Sequence, residues 1–441
     1  MFELRPEFFA ILNQCKSSGN YPVVTRKTGQ ESARQYLKRS QHLDDDKYGI
    51  HKSDSLESSR KWFLEKLSKQ RQRGFLFEDP YFTATDASIF GDRRITSGRY
   101  EWLRPHVVPS GQTFERHSSS GDKTGFFYCG MFWFRFWRFG EWFDVIVDDR
   151  LPTRNRRLVY THSSNRDEFW SAILEKAYAK LFGSYEAIRG GNTAEAMEDL
   201  TGGLTELIDL REDAPPKLFN IIERAHLRCS LMACSIDASP GKLGEDGPMG
   251  LIRGHAYSIT DIRKVENSGS NRHIELIRLH NPWGNEHEWK GPWSDQSPEW
   301  KSISKSERKR IGLTFDNDGE FWISMEDFLR YFSRLEFCHL GPESGSFGQS
   351  FHNDSSSRRW EMTKEDGEWI RFATAGGCRN YDKTFHMNPQ FRVQVIDPDE
   401  TDDDNTGTII IGLMQRGRRE LMQPHHTIGY LVYRVNLVAL S

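Results

Sequence analysis

Between Asn165 and Gly183 the apolar positions recur every three or four residues, at Phe169, Trp170, Ile173, Leu174, Ala177, Tyr178 and Leu181. That period lays one stripe along a helix, with Asn165-Arg166-Asp167 opening it and Gly183 stopping it. Other stretches follow a different rule. From Tyr128 to Asp149 aromatic and β-branched residues crowd together with poor polar alternation, which predicts strands covered on both faces. Leu231 to Asp237, His255 to Asp261, Ile274 to His280 and Glu320 to Ser324 predict strands of a second layer.

The ends are patterned more weakly. Phe8 to Cys15 reads as a short helix, and Thr25 to Arg73 is rich in Lys, Arg, Ser, Gln and Asp around one apolar cluster, Trp62-Phe63-Leu64 with Leu67. Residues 1–74 are therefore expected to form an N-terminal extension, partly disordered. Gly190-Gly191 and Gly202-Gly203 loosen the middle of the chain, where a seam between subdomains 75–192 and 193–340 is expected. The Gly/Ser run from Gly341 to Ser357 predicts a linker. Beyond it, Gln390 to Val395, Thr408 to Gln415 and Thr427 to Val435 predict short strands between charged turns, a β-sandwich within 341–441. The expected class is α+β.

Composition narrows the function. A chain of 441 residues exceeds one ordinary core. Lys+Arg 60 against Asp+Glu 63 gives no field that would gather nucleic acid or an acidic membrane. The six cysteines (Cys15, Cys129, Cys229, Cys234, Cys338, Cys378) are scattered without a CxxC pair, as expected of reduced thiols in a cytoplasmic protein. The start carries Glu3, Arg5 and Glu7 with no apolar run behind them, so no signal peptide is expected. The most apolar window, Phe126 to Phe136, is broken by Gly130 and Arg135 and falls short of the ~20 residues a bilayer requires. No transmembrane segment is expected.

The candidate chemistry centres on His255 and Asn281. A histidine used as general base needs a partner that fixes its tautomer and leaves the other ring nitrogen free. Asparagine does this for Cys-His pairs of the papain type. His255 in one apolar strand and Asn281 at the end of another are placed as neighbours, with Trp283 able to shield their hydrogen bond. The plainer alternative is a buried histidine satisfied by a backbone carbonyl.

Both residues sit inside longer words. Phe77-Glu78-Asp79-Pro80, Trp102-Leu103-Arg104-Pro105, Phe139 to Val145, Asp148-Asp149-Arg150-Leu151-Pro152, Glu168 to Ala172, Glu175 to Lys180, Gly254 to Ser258 and Asn281-Pro282-Trp283-Gly284 resemble calpain signatures in family order. So do Gly376 to Asn380 and Asn388 to Phe391. The resemblance implies a papain-type calpain protease core in two subdomains, followed by a C2-like β-sandwich, here truncated. It implies a calcium-dependent cysteine endopeptidase acting on protein substrates, with His255 and Asn281 matching the catalytic His and Asn. Glu288, Asp295, Asp316 through its carbonyl, Asp318 and Glu320 match the Ca²⁺ site of the second subdomain. Glu168 matches one ligand of the first subdomain's site. A solvated acidic rim is the bland alternative for these carboxylates. No EF-hand domain follows, so pairing with a small subunit is not expected.

One departure is sharp. The family carries a Q-G-x-L-G-D-C-W word after the Trp-x-Arg-Pro word, with the nucleophilic cysteine at a helix start. Here Trp102-Leu103-Arg104-Pro105-His106 runs directly into Val107-Val108-Pro109-Ser110-Gly111-Gln112-Thr113-Phe114. Cys129 lies in a strand-like setting without a helix N-terminus to lower its pKa, and reads as a small buried hydrophobe. Without thiolate and oxyanion donors the pair has nothing to activate, so no peptidase activity is expected. A non-catalytic calcium-binding regulator or scaffold, and a splice form or fragment of an active calpain, stand as alternatives. Loss of a core helix is further expected to leave the first subdomain poorly packed.

Overall fold

The computed structural model describes residues 49–53, 55–91, 100–105, 128–163, 165, 168–238, 244–266, 273–283, 288–295, 297–315, 318–340, 362–394, 409–416 and 426–433. The chain divides into two compact units, Met1–Gly190 with Met414–Ser441, and Gly191–Leu413.

The first unit runs β1 (Ile50–Ser53), α1 (Leu56–Gln72), α2 (Asp86–Phe90), β2 (Glu101–Leu103), β3 (Met131–Arg138), β4 (Glu141–Asp148), β5 (Leu151–Arg154), β6 (Arg157–Leu158) and α3 (Trp170–Phe182). Its sheets are β1-β4-β3 and β2-β5-β6, with antiparallel neighbours. Phe139 (φ 52°) and Gly140 (φ 81°) form the two-residue turn of the β3–β4 hairpin, where paired positive φ values match strand twist. Side chains alternate across β3, so its two faces meet different partners. Phe132, Phe134 and Phe136 join α3 in a core where Phe136, Val145, Val147 and Ala177 are fully buried. Trp133 instead stacks on Phe63 of α1 (centroids 5.4 Å apart), while Trp62 stacks on His51 of β1 at 4.9 Å.

One expectation changes here. Residues 50–72 belong to the first unit, because β1 pairs with β4 (Ile50↔Val145) and α1 covers the outer sheet face. The apolar pair Trp62-Phe63 drives that docking despite its charged surroundings. Among the described residues of this unit, α3 packs on the β3–β4 face.

Charged residues of the motif words are buried against one another. Lys180 donates to Asp79 (2.7 Å) and to the Ile146 carbonyl (2.6 Å). Lys176, fully buried, pairs with Asp148 and donates to the Arg150 carbonyl at 2.6 Å. Arg104 pairs with Asp149 and donates to the Phe77 carbonyl at 2.9 Å. Burial pushes Asp148 upward, but the Lys176 ammonium and the Arg150 guanidinium outweigh it and hold the carboxyl below its usual 3.8.

The second unit runs α4 (Thr193–Thr201), β7 (Leu204–Asp209), α5 (Leu218–Leu227), β8 (Leu231–Ser235), β9 (Ala256–Glu266), β10 (His273–His280), α6 (Lys305–Arg310), β11 (Glu320–Ser324), α7 (Met325–Tyr331) and β12 (Arg334–His339). Six strands form one antiparallel sheet in the order β11-β10-β9-β8-β12-β7. Leu218, Phe219, Ile222 and Ala225, spaced as one helical stripe, bury α5 against one core with Ile277, Leu279, Phe328 and Leu335. Val265, Leu276, Trp293, Trp300 and Trp322 build a second cluster.

The stretches 362–394, 409–416 and 426–433 contain no strand among the described residues, only a short 3₁₀ turn at Phe385–Met387. Ile409, Ile411, Leu413 and Val432 are exposed there. The acidic run 397–404 and the Gly/Ser linker lie outside the described residues. No helix among the described residues is long and apolar enough to cross a membrane.

Candidate active site

His255 enters the sheet through Gly254, whose φ of 66° suits glycine. The Gly254 amide donates to the Ile236 carbonyl at 2.8 Å, and the Ile236 amide to the His255 carbonyl at 3.1 Å, fixing His255 at the start of β9. Asn281 follows β10 directly and is fully buried. Its Oδ1 lies 2.9 Å from His255 Nε2. The Trp283 backbone amide also donates to that Oδ1, at 3.1 Å. A backbone N–H can only donate, so this second bond sets which way the Asn281 amide points. Nε2 therefore carries the proton and donates, and Nδ1 keeps its lone pair.

The ring is boxed by aromatics. Trp283 stands 4.5 Å away, and Tyr257 meets the ring edge-on at 5.1 Å. The Tyr257 hydroxyl accepts from the Ile252 amide at 2.9 Å, tying down the loop before His255. Trp283 is half exposed, so it covers one side of the pair while facing solvent. Burial pulls His255 below its usual 6.5, and the Asn281 hydrogen bond opposes that shift.

The predicted calcium ligands divide. Glu288, Asp318 and Glu320 gather at one end of the sheet. Glu288 Oε1 accepts from the Gly319 amide (2.9 Å), and Asp318 Oδ1 accepts from the Glu320 amide (2.9 Å). Burial raises the Glu288 pKa, the Gly319 amide opposes, and the Asp318 charge adds to the rise. Asp295 lines a cavity of 690 Å³ together with Glu288. Asp316 lies outside the described residues. Glu168 belongs to the first unit, where it accepts from the Ser163 hydroxyl at 2.9 Å.

Among the described residues no three His, Cys, Asp or Glu side chains converge tightly enough to hold a metal ion. Glu288, Asp295, Asp318 and Glu320 carry carboxylate oxygens, the donor type a hard cation takes. The Ser297 Oγ and Glu299 Oε2 atoms are buried without a hydrogen-bond partner, in residues that line the same cavity.

The cluster is wired to the histidine. Glu288 holds the Gly319 amide, the Gly319 carbonyl accepts from the Asn281 amide at 2.8 Å, and Asn281 accepts from His255. Gly250 braces the other side of Glu288. A Cβ there would collide with the Glu288 carbonyl oxygen, and φ is already 84°. Arg278 pairs with Glu320. Sequence reasoning missed Tyr257, Gly250, Glu299 and Arg278. Strand alternation alone would have put Tyr257 on the face of His255, and Arg278 on that of His280.

The thiols occupy contrasting settings. Cys234 is fully buried, which drives its pKa well above the ordinary value, and its Sγ donates to the Tyr257 carbonyl at 3.7 Å. Burial raises Cys338 as well. Cys129 is buried, with its carbonyl accepting from the Phe77 amide at 2.7 Å. Cys229 and Cys378 are exposed, and Cys15 lies outside the described residues.

Residues 119–339 match the model of the calpain family of cysteine proteases, and residues 365–440 match domain III of the calpain large subunit. Calpain-A of Drosophila melanogaster is 46% identical over 402 residues, covering 82% of this chain and 48% of that protein. Calpain clp-1 of Caenorhabditis elegans is 44% identical over 81% of this chain and 50% of its own length. The calpain-2 catalytic subunit of Homo sapiens is 44% identical over 76% of this chain and 46% of its own length. The chain spans about half the length of the curated relatives it matches.

Proposed function

Since the chain belongs to the calpain family of cysteine proteases, we propose that it keeps the base, the orienter and a calcium-responsive acidic cluster of a calpain core but not the nucleophile. On this reading it binds protein chains in the cytoplasm without cleaving them. The observation that carries it is the bond between His255 Nε2 and Asn281 Oδ1, with Nδ1 left as a base, in a sequence that has no cysteine between Cys15 and Cys129. A base without a thiol to deprotonate forms no acyl-enzyme. Residues 75–192 and 193–340 act as the two halves of the core, and 341–441 as the domain III module.

Glu288, Asp295, Asp316, Asp318 and Glu320 would hold Ca²⁺, with Glu168 as the remnant of a first site. The ion when bound supplies positive charge that draws these oxygens together. Glu288 accepts from the Gly319 amide and the Gly319 carbonyl from the Asn281 amide, so these bonds would connect the acidic residues to the partner of His255.

The test incubates purified chain with casein and an epoxysuccinyl thiol probe, with and without calcium. Neither cleavage nor labelling is expected. Calcium-dependent cleavage together with labelling of a cysteine would overturn the reading. The direct junction of His106 and Val107, inside a chain 46% identical to Calpain-A, favours a second reading: this is one form of an active calpain with that segment removed. Restoring a cysteine-helix segment there would then restore cleavage.

A further inference from the structure

The near-neutral total conceals a local excess of one sign. Between positions 301 and 310 stand Lys301, Lys305, Arg308, Lys309 and Arg310, against the single acid Glu307. A 3₁₀ turn, Pro298–Ser302, presents the first of them, and α6 presents the others. The two arginines are tied within the chain. Arg308 Nε donates to the Ile303 carbonyl at 3.0 Å. Arg310 donates to both Glu307 oxygens, at 2.8 and 2.6 Å, and to the Lys264 carbonyl at 3.1 Å. Glu307 is thereby taken up. Lys301, Lys305 and Lys309 are exposed, and among the described residues none of the three has an ion-pair partner. Lys305 and Lys309, four apart on α6, are neighbours of like charge, an arrangement that weakens a helix until an outside anion relieves it. Phe315 returns to the same turn. It is 48% exposed, with its ring centroid 6.1 Å from that of Trp300, the residue before Lys301.

We propose that this cluster is a contact for an anionic lipid surface, with Phe315 entering the headgroup layer. Three unpaired lysines fit a bilayer better than one phosphate or carboxylate. Discrete anions are gripped by the planar guanidinium fork, and both guanidiniums here already bond within the chain. Ammonium groups on flexible stems act as point charges, which a field of many headgroups satisfies in any register. An exposed aromatic ring among lysines adds the apolar component that interfacial contacts use. The formal net charge of −3 supplies no attraction of its own, so the contact is local to this patch. It is also reversible, since each lysine near an anionic leaflet strengthens binding only about fivefold.

Flotation of the purified full chain with phosphatidylcholine vesicles, with and without phosphatidylserine, tests this in the presence of a calcium chelator. Binding is expected only with phosphatidylserine, and it is expected to weaken as salt rises. Lys301→Gln, Lys305→Gln and Lys309→Gln are each expected to weaken it about fivefold, and the triple variant on the order of a hundredfold. Phe315→Ser is expected to weaken it while keeping the salt dependence of wild type, and an unchanged affinity overturns the insertion. Wild type that fails to bind, or binds both vesicle types equally, overturns the proposal. So does a triple variant that binds like wild type, because the contact then lies on another surface. Should the triple variant fail to fold, three single variants that all match wild type overturn it as well. Lysine-dependent binding of poly-glutamate without binding of vesicles assigns the patch to an acidic protein and overturns the membrane contact. The casein and thiol-probe assay stands apart from all of these outcomes, so the proposed function and this contact fail separately.

Discussion

Replacing Asn281 with alanine separates the orienting role of this residue from its packing role. Asn281 is fully buried and accepts from both His255 Nε2 and the Trp283 amide. The substitution leaves these donors without their side-chain acceptor, and an unmet buried donor costs about 1–3 kcal/mol. For a unit of this size each kcal/mol lowers Tm by roughly 2–4 °C. The charge effect has a definite sign. Burial holds His255 below 6.5 and the Asn281 bond partly restores it, so Asn281→Ala is expected to lower the pKa further. Asn281→Asp places a carboxylate beside the ring and is expected to raise it. A histidine with a depressed folded pKa penalises the folded state when protonated. Its stability cost is therefore absent above 6.5 and grows as pH falls from 6.5 through the folded value. The alanine variant extends this cost to lower pH, and the aspartate variant shrinks it. Two-dimensional NMR of the imidazole Cε1–H signal against pH reads both shifts. An unchanged or higher His255 pKa in Asn281→Ala would refute the assigned hydrogen bond and tautomer.

Lys176→Met removes a fully buried ammonium from Asp148 and the Arg150 carbonyl. Breaking such a pair costs about 3–5 kcal/mol, and retention of Arg150 by Asp148 puts the loss at the lower end. Urea unfolding followed by tryptophan fluorescence measures it, and a loss under ~1 kcal/mol contradicts the role given to this network. Because Asp148 is held below 3.8, its contribution is present above 3.8 and disappears as pH falls further, and the Met variant should lose part of that acid dependence. Gly250→Ala forces a Cβ against the Glu288 carbonyl at a positive φ. A loss of about 1–3 kcal/mol and a smaller calcium-induced rise in Tm are expected. A melting curve identical to wild type with and without calcium excludes the brace.

Much of the described structure is legible from patterning. The strands expected at Leu231, Ile274 and Glu320 appear as β8, β10 and β11 within a few residues, and the 165–183 stripe appears as α3, begun at Trp170 and stopped by Gly183. Local periodicity suffices where one face is buried by nearby chain. It fails where the partner is remote. β1 is four residues long and finds its ladder only on β4, so nothing local marks it as a strand. Words such as Phe77-Glu78-Asp79-Pro80 and Glu175 to Lys180 are readable as signatures. That Asp79 and Lys180 meet in the interior depends on tertiary approach that no spacing reveals. His255 and Asn281 could be named because both lie in recognisable words. Arg278 could not, since its diagonal to Glu320 requires the β10–β11 register.

The short first strand also acts as a guard. By pairing along β4 from Ile50 to Ser53 it occupies hydrogen-bonding groups that would otherwise sit on a bare sheet margin. A shortened chain begun at Phe75 would lose this cover together with the ring stacks of Trp62 and Phe63. Such a margin invites strands from other copies, so the trimmed protein would tend to self-associate even with its interior intact.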